Sequence, residues 1–391
     1  MDKINLNNGR SYSLDVFRGA TVCLMILVNN PGSWANIYSP LKHAAWHGIT
    51  PTDLVFPFFL FAVGNAMAYT FPKLIAGGEF KFWKKVVSRF VLIFLIGIFL
   101  NWMPFVKYEN DILVFKPWGE IRIMGVLQRI AVSYLLASVI IKFFKTRGAF
   151  VAGSVILLLY WFLCVFINPA DPFSLSGWFG TAVDKQIFGE SHMYFGEALN
   201  GNKIHFDPEG LASSAGAVVQ VIFGYLCGDF IIKKGRNYEM LVSLFTTGIA
   251  LLFTGYVWDM SFPINKKIWT SSYVVYTSGM AMIIIAIMIF RIDLKNNRPA
   301  LLKFFNVFGK NALFIFFLSG FLPRLLNLIR IPESLSATGY ITPFNWFYEK
   351  ICKPVFPGDL KAGSLLYALL MIAFYWLIVY IMDKRKIYIK V

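Results

Sequence analysis

Ten apolar runs, near 14–33, 51–72, 86–105, 121–141, 149–168, 211–232, 239–258, 270–290, 309–329 and 362–382, leave this chain one class of fold. Each is about 20 residues long, enough as a helix to cross roughly 30 Å of hydrocarbon. Backbone in lipid must satisfy its own hydrogen bonds, and a helix does so within one segment. The expectation is an all-α polytopic membrane protein of about ten transmembrane helices. With 57% hydrophobic and only 15% charged residues, the chain is too apolar for a soluble domain.

In a soluble chain a net charge of +16 would point to nucleic acid. Here the Lys and Arg residues gather between alternate runs. Segments 1–13, 73–89, 142–147, 233–236, 291–310 and 383–391 hold twice as many as 34–50, 106–119, 169–210, 259–269 and 330–361, in less sequence. The positive-inside rule then puts both termini in the cytoplasm and the second set of loops outside, with no nucleic-acid partner. Residues 1–13 lack an apolar core and the first run lacks a small-residue cleavage site, so the first helix is expected to be its own insertion signal.

Cys23, Cys164 and Cys227 fall within runs and Cys352 stands outside, which implies no disulfide framework. With no CxxC, no HExxH and four histidines, no metal site is expected. The chain reads as one transmembrane domain over 1–391, with extracytoplasmic loops 34–50, 169–210 and 330–361. The last two are long and mix Gly, Pro and aromatics, as suits loops that bind a polar substrate. Within the last, 343–353 interleaves aromatics with charges and reads as an interfacial helix.

Polar groups in or beside the apolar runs are the candidate functional residues, because each is costly in lipid. Asp15 and Arg18 are spaced to pair on one face of the first helix. Asn29 and Asn30 end that helix before Pro31, either as plain terminators or as site groups. Arg122 and Arg129, seven apart with Gln128 beside them, are expected to project from one side of the fourth helix, as a structural bridge or as a grip on an anion. His43 and His47 lie in the first outer loop. Asp53, ten residues after His43 at the start of the second run, serves either as a helix cap or as the group that orients an imidazole base.

KHAAWHGITPTDLVFP (42–57) resembles the signature of the heparan-alpha-glucosaminide N-acetyltransferase family of transmembrane acyltransferases. SLDVFRG, ILVNN, RIMGVLQRIAVSY, DKQIFGESHMY, FDPEG, PINKKIWTSSYV and FGKNALFIFF are similar in kind and order, so the likeness covers essentially the whole chain. The resemblance implies transfer of an acetyl group from cytosolic acetyl-CoA, a substrate rather than a resident cofactor, to the amine of a glucosamine-type sugar across the membrane. It implies catalytic roles for His43, Asp53 and Asn29, with Asn30 an alternative to Asn29. It places Arg129, Gln128, Arg122 and Arg18 along the CoA path, and Trp46, Asp207, Pro208 and Glu209 near the acceptor. It also implies a possible homodimer.

The sequence departs from the family at Asn30-Pro31 and at His47, and begins without the lysosomal enzyme's luminal domain. A bacterial inner-membrane form acting on an amino sugar or glycan fragment, with His43 periplasmic, is the resulting expectation. Ternary-complex transfer and transient acetylation of His43 both remain open. The rival class is a secondary transporter of an amino sugar or glycan fragment, whose usual paired broken helices in equivalent halves are not visible here.

Overall fold

The computed structural model describes residues 12–199, 202–334 and 339–389. Most of the basic segment 1–13 therefore lies outside the described residues. Twelve α-helices account for most of the described residues: α1 (Tyr12–Asn29), α2 (Val55–Ala76), α3 (Glu79–Trp102), α4 (Val126–Ile167), α5 (Gly180–Phe188), α6 (Ser214–Lys234), α7 (Tyr238–Asp259), α8 (Ser271–Ile289), α9 (Ala300–Lys310), α10 (Ala312–Leu326), α11 (Pro343–Phe347) and α12 (Leu360–Lys384). Three small antiparallel hairpins sit in the connections: β1–β2 (Val106–Glu109, Ile112–Phe115), β3–β4 (Phe195–Leu199, Asn202–His205) and β5–β6 (Ile331–Pro332, Tyr340–Ile341). The protein is an all-α polytopic membrane protein, with eight helices long and apolar enough to span, or nine if the bent pair α9–α10 is one crossing.

One of those helices is two. At 42 residues α4 would run about 63 Å, twice a hydrocarbon core. It breaks at Lys145, where φ is 56° and ψ −170°. Beside the break, Lys142 Nζ meets Glu79 at the start of α3 at 2.5 Å, and Thr146 Oγ1 meets Asp229 at 3.0 Å. The chain thus runs out, turns at the face where α3 begins, and returns, which brings the candidate crossings among the described residues to nine, or ten if α9–α10 is one crossing.

Hydrogen bonds sort the connections into two faces. On one, Gly48 N donates to Ile264 O, Trp46 Nε1 to Phe173 O, Ile123 N to His192 O and Tyr108 Oη to Leu328 O. On the other, Ser13 meets Asp293 and Asn311 Nδ2 donates to Ile387 O. The basic segments described belong to the second face.

Helices α1, α2, α6 and α8 form the buried centre, while α3, α4, α7 and α12 expose most of their apolar side chains, the surface that lipid covers. α2 and α6 approach through glycine. A Cβ on Gly64 would lie 1.9 Å from Val221 O, and one on Gly224 would lie 2.1 Å from Phe61 O. Such close backbone contact supplies the dispersion that holds helices together where lipid gives no hydrophobic drive.

Two sequence expectations need correction. The fourth helix begins at Val126, after an extended Gly125, so Arg122 stands in the preceding loop and does not share a helix face with Arg129. The ninth run gives the 15-residue α10, and the segment 291–310, read as a connection, holds α9, bent by 78° from α10 at Asn311. The long loops hold structure of their own: α5 and β3–β4 in 169–210, and β5–β6 with α11 in 330–361. All four cysteines are free and buried.

Candidate active site

Thr50-Pro51-Thr52-Asp53 has the pattern of a helix start: proline at the first position and a carboxylate at the third that can reach back to the cap. Asp53 Oδ2 accepts from Thr50 N at 3.0 Å, from the Thr50 hydroxyl at 2.9 Å and from Ala44 N at 3.0 Å. Its other oxygen, Oδ1, lies 2.6 Å from His43 Nδ1. Buried Tyr273 fixes the same turn by donating to Asp53 O. A ring nitrogen against a carboxylate carries the proton, so this contact leaves the lone pair on Nε2. The Asp53 side chain is 1% exposed and that of His43 is 40% exposed: a buried orienting acid and an accessible base.

The imidazole opens on a cavity of about 390 Å³ lined by His43, Ala44, Trp46, Asp53, Arg122, Tyr194, Glu197, Pro208, Glu209, Lys266 and Lys267. That is the size of a monosaccharide-to-drug-sized site. Arg122 forms its far wall. Its Nε and one terminal nitrogen grip Asp207 at 2.9 and 2.6 Å, and the same terminal nitrogen reaches Glu209 at 2.6 Å. Burial pulls Arg122 down, yet its two carboxylates hold it above the ordinary arginine value. Burial alone would raise Glu209, but the charges of Arg122, Arg129 and Lys266 keep it below the usual range. His47 sits behind the loop, lowered by burial against the opposing charge of Asp259.

Arg122 and Tyr194 also line a second cavity, of about 500 Å³, between the ends of α1, α3, α4 and α10. Asn29, Asn30, Asn101, Gln128, Ser319 and Arg324 give it a polar lining inside an apolar bundle. Gln128 is 1% exposed and lies against Gly97 and Gly125, where an added Cβ would approach its amide to 2.5 and 3.0 Å. Its Nε2 has no hydrogen-bond partner among the described residues. A buried donor left so costs about 1–3 kcal/mol, which a ligand oxygen in this cavity would recover.

The sequence-derived candidates thus divide. His43, Asp53, Trp46, Pro208, Glu209 and Arg122 share the first cavity, and Arg122, Asn29, Asn30 and Gln128 the second. Asp207 stands behind Arg122 as its anchor. Arg129 lines neither cavity. It is fully buried under the Trp269 ring, with a terminal nitrogen on Gly210 O and the Ser213 hydroxyl. Arg18 lies at the other end of α1, some 16 Å from Asn29 by helix rise, bound to Gly309 O and Asp15.

Lys266, Lys267, Tyr194 and Glu197 were not singled out from sequence. Lys266 and Lys267 had a signal, as an adjacent lysine pair in an outer loop otherwise poor in basic residues.

One buried acid supports the site from below. Asp184 on α5 accepts from Leu211 N at 2.8 Å through Oδ1, while its Oδ2 has no partner among the described residues. Burial, with the nearby charge of Asp207 adding to it, pushes its carboxyl up to about 6. The fold favours the neutral form, so this stabilisation is whole below the ordinary aspartate range and is lost as pH rises through about 6. Asp184→Asn is therefore expected to raise the melting temperature at about pH 8 and to change it little at about pH 4. An equal shift at both would remove the charge of Asp184 from the explanation.

Comparison with known proteins meets this geometry from a separate direction. The family model described as Heparan-alpha-glucosaminide N-acetyltransferase, catalytic, matches residues 10–187. The human heparan-alpha-glucosaminide N-acetyltransferase is 27% identical over 337 residues, covering 73% of this chain and 49% of the human protein. The mouse protein is 26% identical over 332 residues, covering 72% and 49%. The chain spans about half the length of the curated relatives it matches. His43, Asp53 and Trp46 all lie inside the segment that matches, so the chain is similar to heparan-alpha-glucosaminide N-acetyltransferases in the part that builds this site.

Proposed function

We propose that this protein is a transmembrane acetyltransferase that moves an acetyl group from acetyl-CoA to the amine of a glucosamine-type sugar. One observation carries the reading: the His43–Asp53 pair opens on a cavity that shares Arg122 and Tyr194 with a second, polar cavity sunk into the bundle. The two cavities suit an acceptor and an acyl donor that meet at their common wall.

The donor's phosphates cannot enter lipid. In this reading the nucleotide stays at the basic cytoplasmic face and the thin pantetheine arm threads between helices toward the second cavity. The amine, seated in the first cavity, attacks the thioester carbon while His43 Nε2 takes its proton, a contribution of about 10²–10⁴ in rate. The Asn29 amide donates to the developing oxyanion, worth roughly 10²–10³, and Gln128 Nε2 holds the donor's polar arm. The carbon–sulfur bond breaks, and the proton on His43 passes to the departing thiolate. Trp46 offers an aromatic wall to the sugar and Glu209 a carboxylate to its ammonium, which releases its extra proton to water before the amine attacks. The charge bias of the loops supports an extracytoplasmic His43, in the inner membrane if the host is a bacterium.

Purified protein in detergent, given labelled acetyl-CoA and glucosamine, is expected to form N-acetylglucosamine. Vesicles that accumulate labelled glucosamine without acetylating it would instead identify a transporter. Asp53→Asn should keep the fold yet lose about 10²–10⁴ in kcat with little change in KM, because the tautomer needed by the base is no longer held. A KM effect alone would make Asp53 a binding group.

A further inference from the structure

Lys266 presents a primary amine to the His43 ring. Its Nζ lies 3.2 Å from His43 Nδ1 and 3.3 Å from His43 Nε2, and 3.9 Å from Asp53 Oδ1. The side chain is 20% exposed and lines the His43 cavity, so its amine faces the space a substrate enters. The loop that presents it is tied by hydrogen bonds. Buried Asn265 accepts from Lys267 N at 2.7 Å and Ile268 N at 3.1 Å, and Asn265 N is bound to the Thr270 hydroxyl at 3.0 Å. The neighbouring Lys267 lines the same cavity but is engaged, paired with Glu197 and lying 5.7 Å from the Trp46 ring centre.

A primary amine within hydrogen-bond reach of an oriented imidazole is the arrangement the acceptor sugar itself would adopt. We propose that Lys266 is an internal acetyl acceptor: when acetyl-CoA is bound and the sugar is absent, the protein acetylates Lys266 on Nζ and thereby inhibits itself. The inference rests on the acetyl-transfer reading above. In the step, the nitrogen lone pair forms the N–C bond to the thioester carbon and the C–S bond breaks with its pair on sulfur. One proton goes through His43 Nε2 to the thiolate. A lysine that starts as ammonium releases its extra proton to water. The products are an amide and free CoA, with no oxidant or reductant required.

Burial is the main reason Lys266 sits below the ordinary lysine value, with the charges of Arg129 and Lys267 adding to it against Asp53 and Glu209. More of it is therefore in the nucleophilic, neutral form than of a surface lysine. Once acetylated, the side chain would fill the sugar's place beside His43, and the amide, unlike a thioester, would not pass its acetyl group on.

The test is purified protein incubated with acetyl-CoA alone, digested, and read by peptide mass spectrometry, with glucosamine acetylation measured in parallel. Lys266 is expected to gain acetyl at least about 10²-fold faster than Lys267, the factor a positioned base supplies. Saturating glucosamine should suppress that gain, and His43→Gln should abolish it. Activity should decline with time of pre-incubation in donor, whereas Lys266→Arg should hold its own starting rate. Acetylation of Lys266 no faster than of Lys267, or unaffected by glucosamine, overturns the inference even if no variant folds. If glucosamine is acetylated and Lys266 stays intact, the inference alone fails; if neither is acetylated, the transfer reading fails first.

Discussion

His43→Ala is expected to lower acetyl transfer by about 10²–10⁴-fold while the protein still folds and binds donor. The imidazole reaches the cavity from a loop, with a 40% exposed side chain whose polar contacts are to Asp53 and Lys266, so its removal empties solvent-facing space and opens no hole in the core. Asp53 loses one of four hydrogen-bond contacts and keeps Thr50 and Ala44. The expected signature is a collapse of kcat with donor affinity preserved, measured by steady-state kinetics and by calorimetry with CoA. Turnover within a few-fold of wild type would remove the imidazole from the reaction and leave the dyad as a helix-start clasp.

Arg122→Ala is expected to cost stability as well as activity. Its guanidinium is the partner of two carboxylates at once, and the Asp207 side chain is only 2% exposed. Removing one partner of a buried ion pair leaves uncompensated charge, typically about 3–5 kcal/mol. The 24% exposure of Arg122 on its cavity side places the loss toward the lower figure. Arg122→Lys should recover only part, since a lysine cannot span both oxygens of Asp207 as the fork does. A thermal melt of Arg122→Ala indistinguishable from wild type would show that loop 207–210 is held by other contacts.

The fold was legible because its determinants are one-dimensional. Hydrophobic length fixes spans, and the alternation of Lys and Arg fixes which loops share a face. Even the two halves of α4, which coil through Lys145 with barely a break, announce themselves as separate runs around the basic stretch 142–147. Helix ends were less legible. An apolar run says where helix can exist, while Gly125 and Asn311 decide where it starts or bends, which is why Arg122 left the helix assigned to it.

The site was legible in its local part. His43, Trp46 and Asp53 lie within eleven residues, and the Thr-Pro-Thr-Asp start brings acid to base without help from distant chain. Lys266 and Glu197 reach the same cavity from far along the sequence: packing of the 260–270 loop on the 42–50 loop, through Gly48 and Ile264, brings in Lys266, and the β3–β4 pair brings in Glu197. Arg129 shows the converse. A buried arginine in an apolar helix looks like an anion grip, but this one lines neither cavity, because the Trp269 ring lies over it. Only one terminal nitrogen is taken, by Gly210 O and the Ser213 hydroxyl; its Nε and other terminal nitrogen have no partner among the described residues.

The central claim is that donor and acceptor meet from opposite sides of the membrane, and reconstituted vesicles of known orientation test it directly. With acetyl-CoA sealed on the side of the basic loops and glucosamine supplied only on the His43 side, N-acetylglucosamine should accumulate on the His43 side. Product that forms only when both compounds share one compartment would contradict transfer across the bilayer.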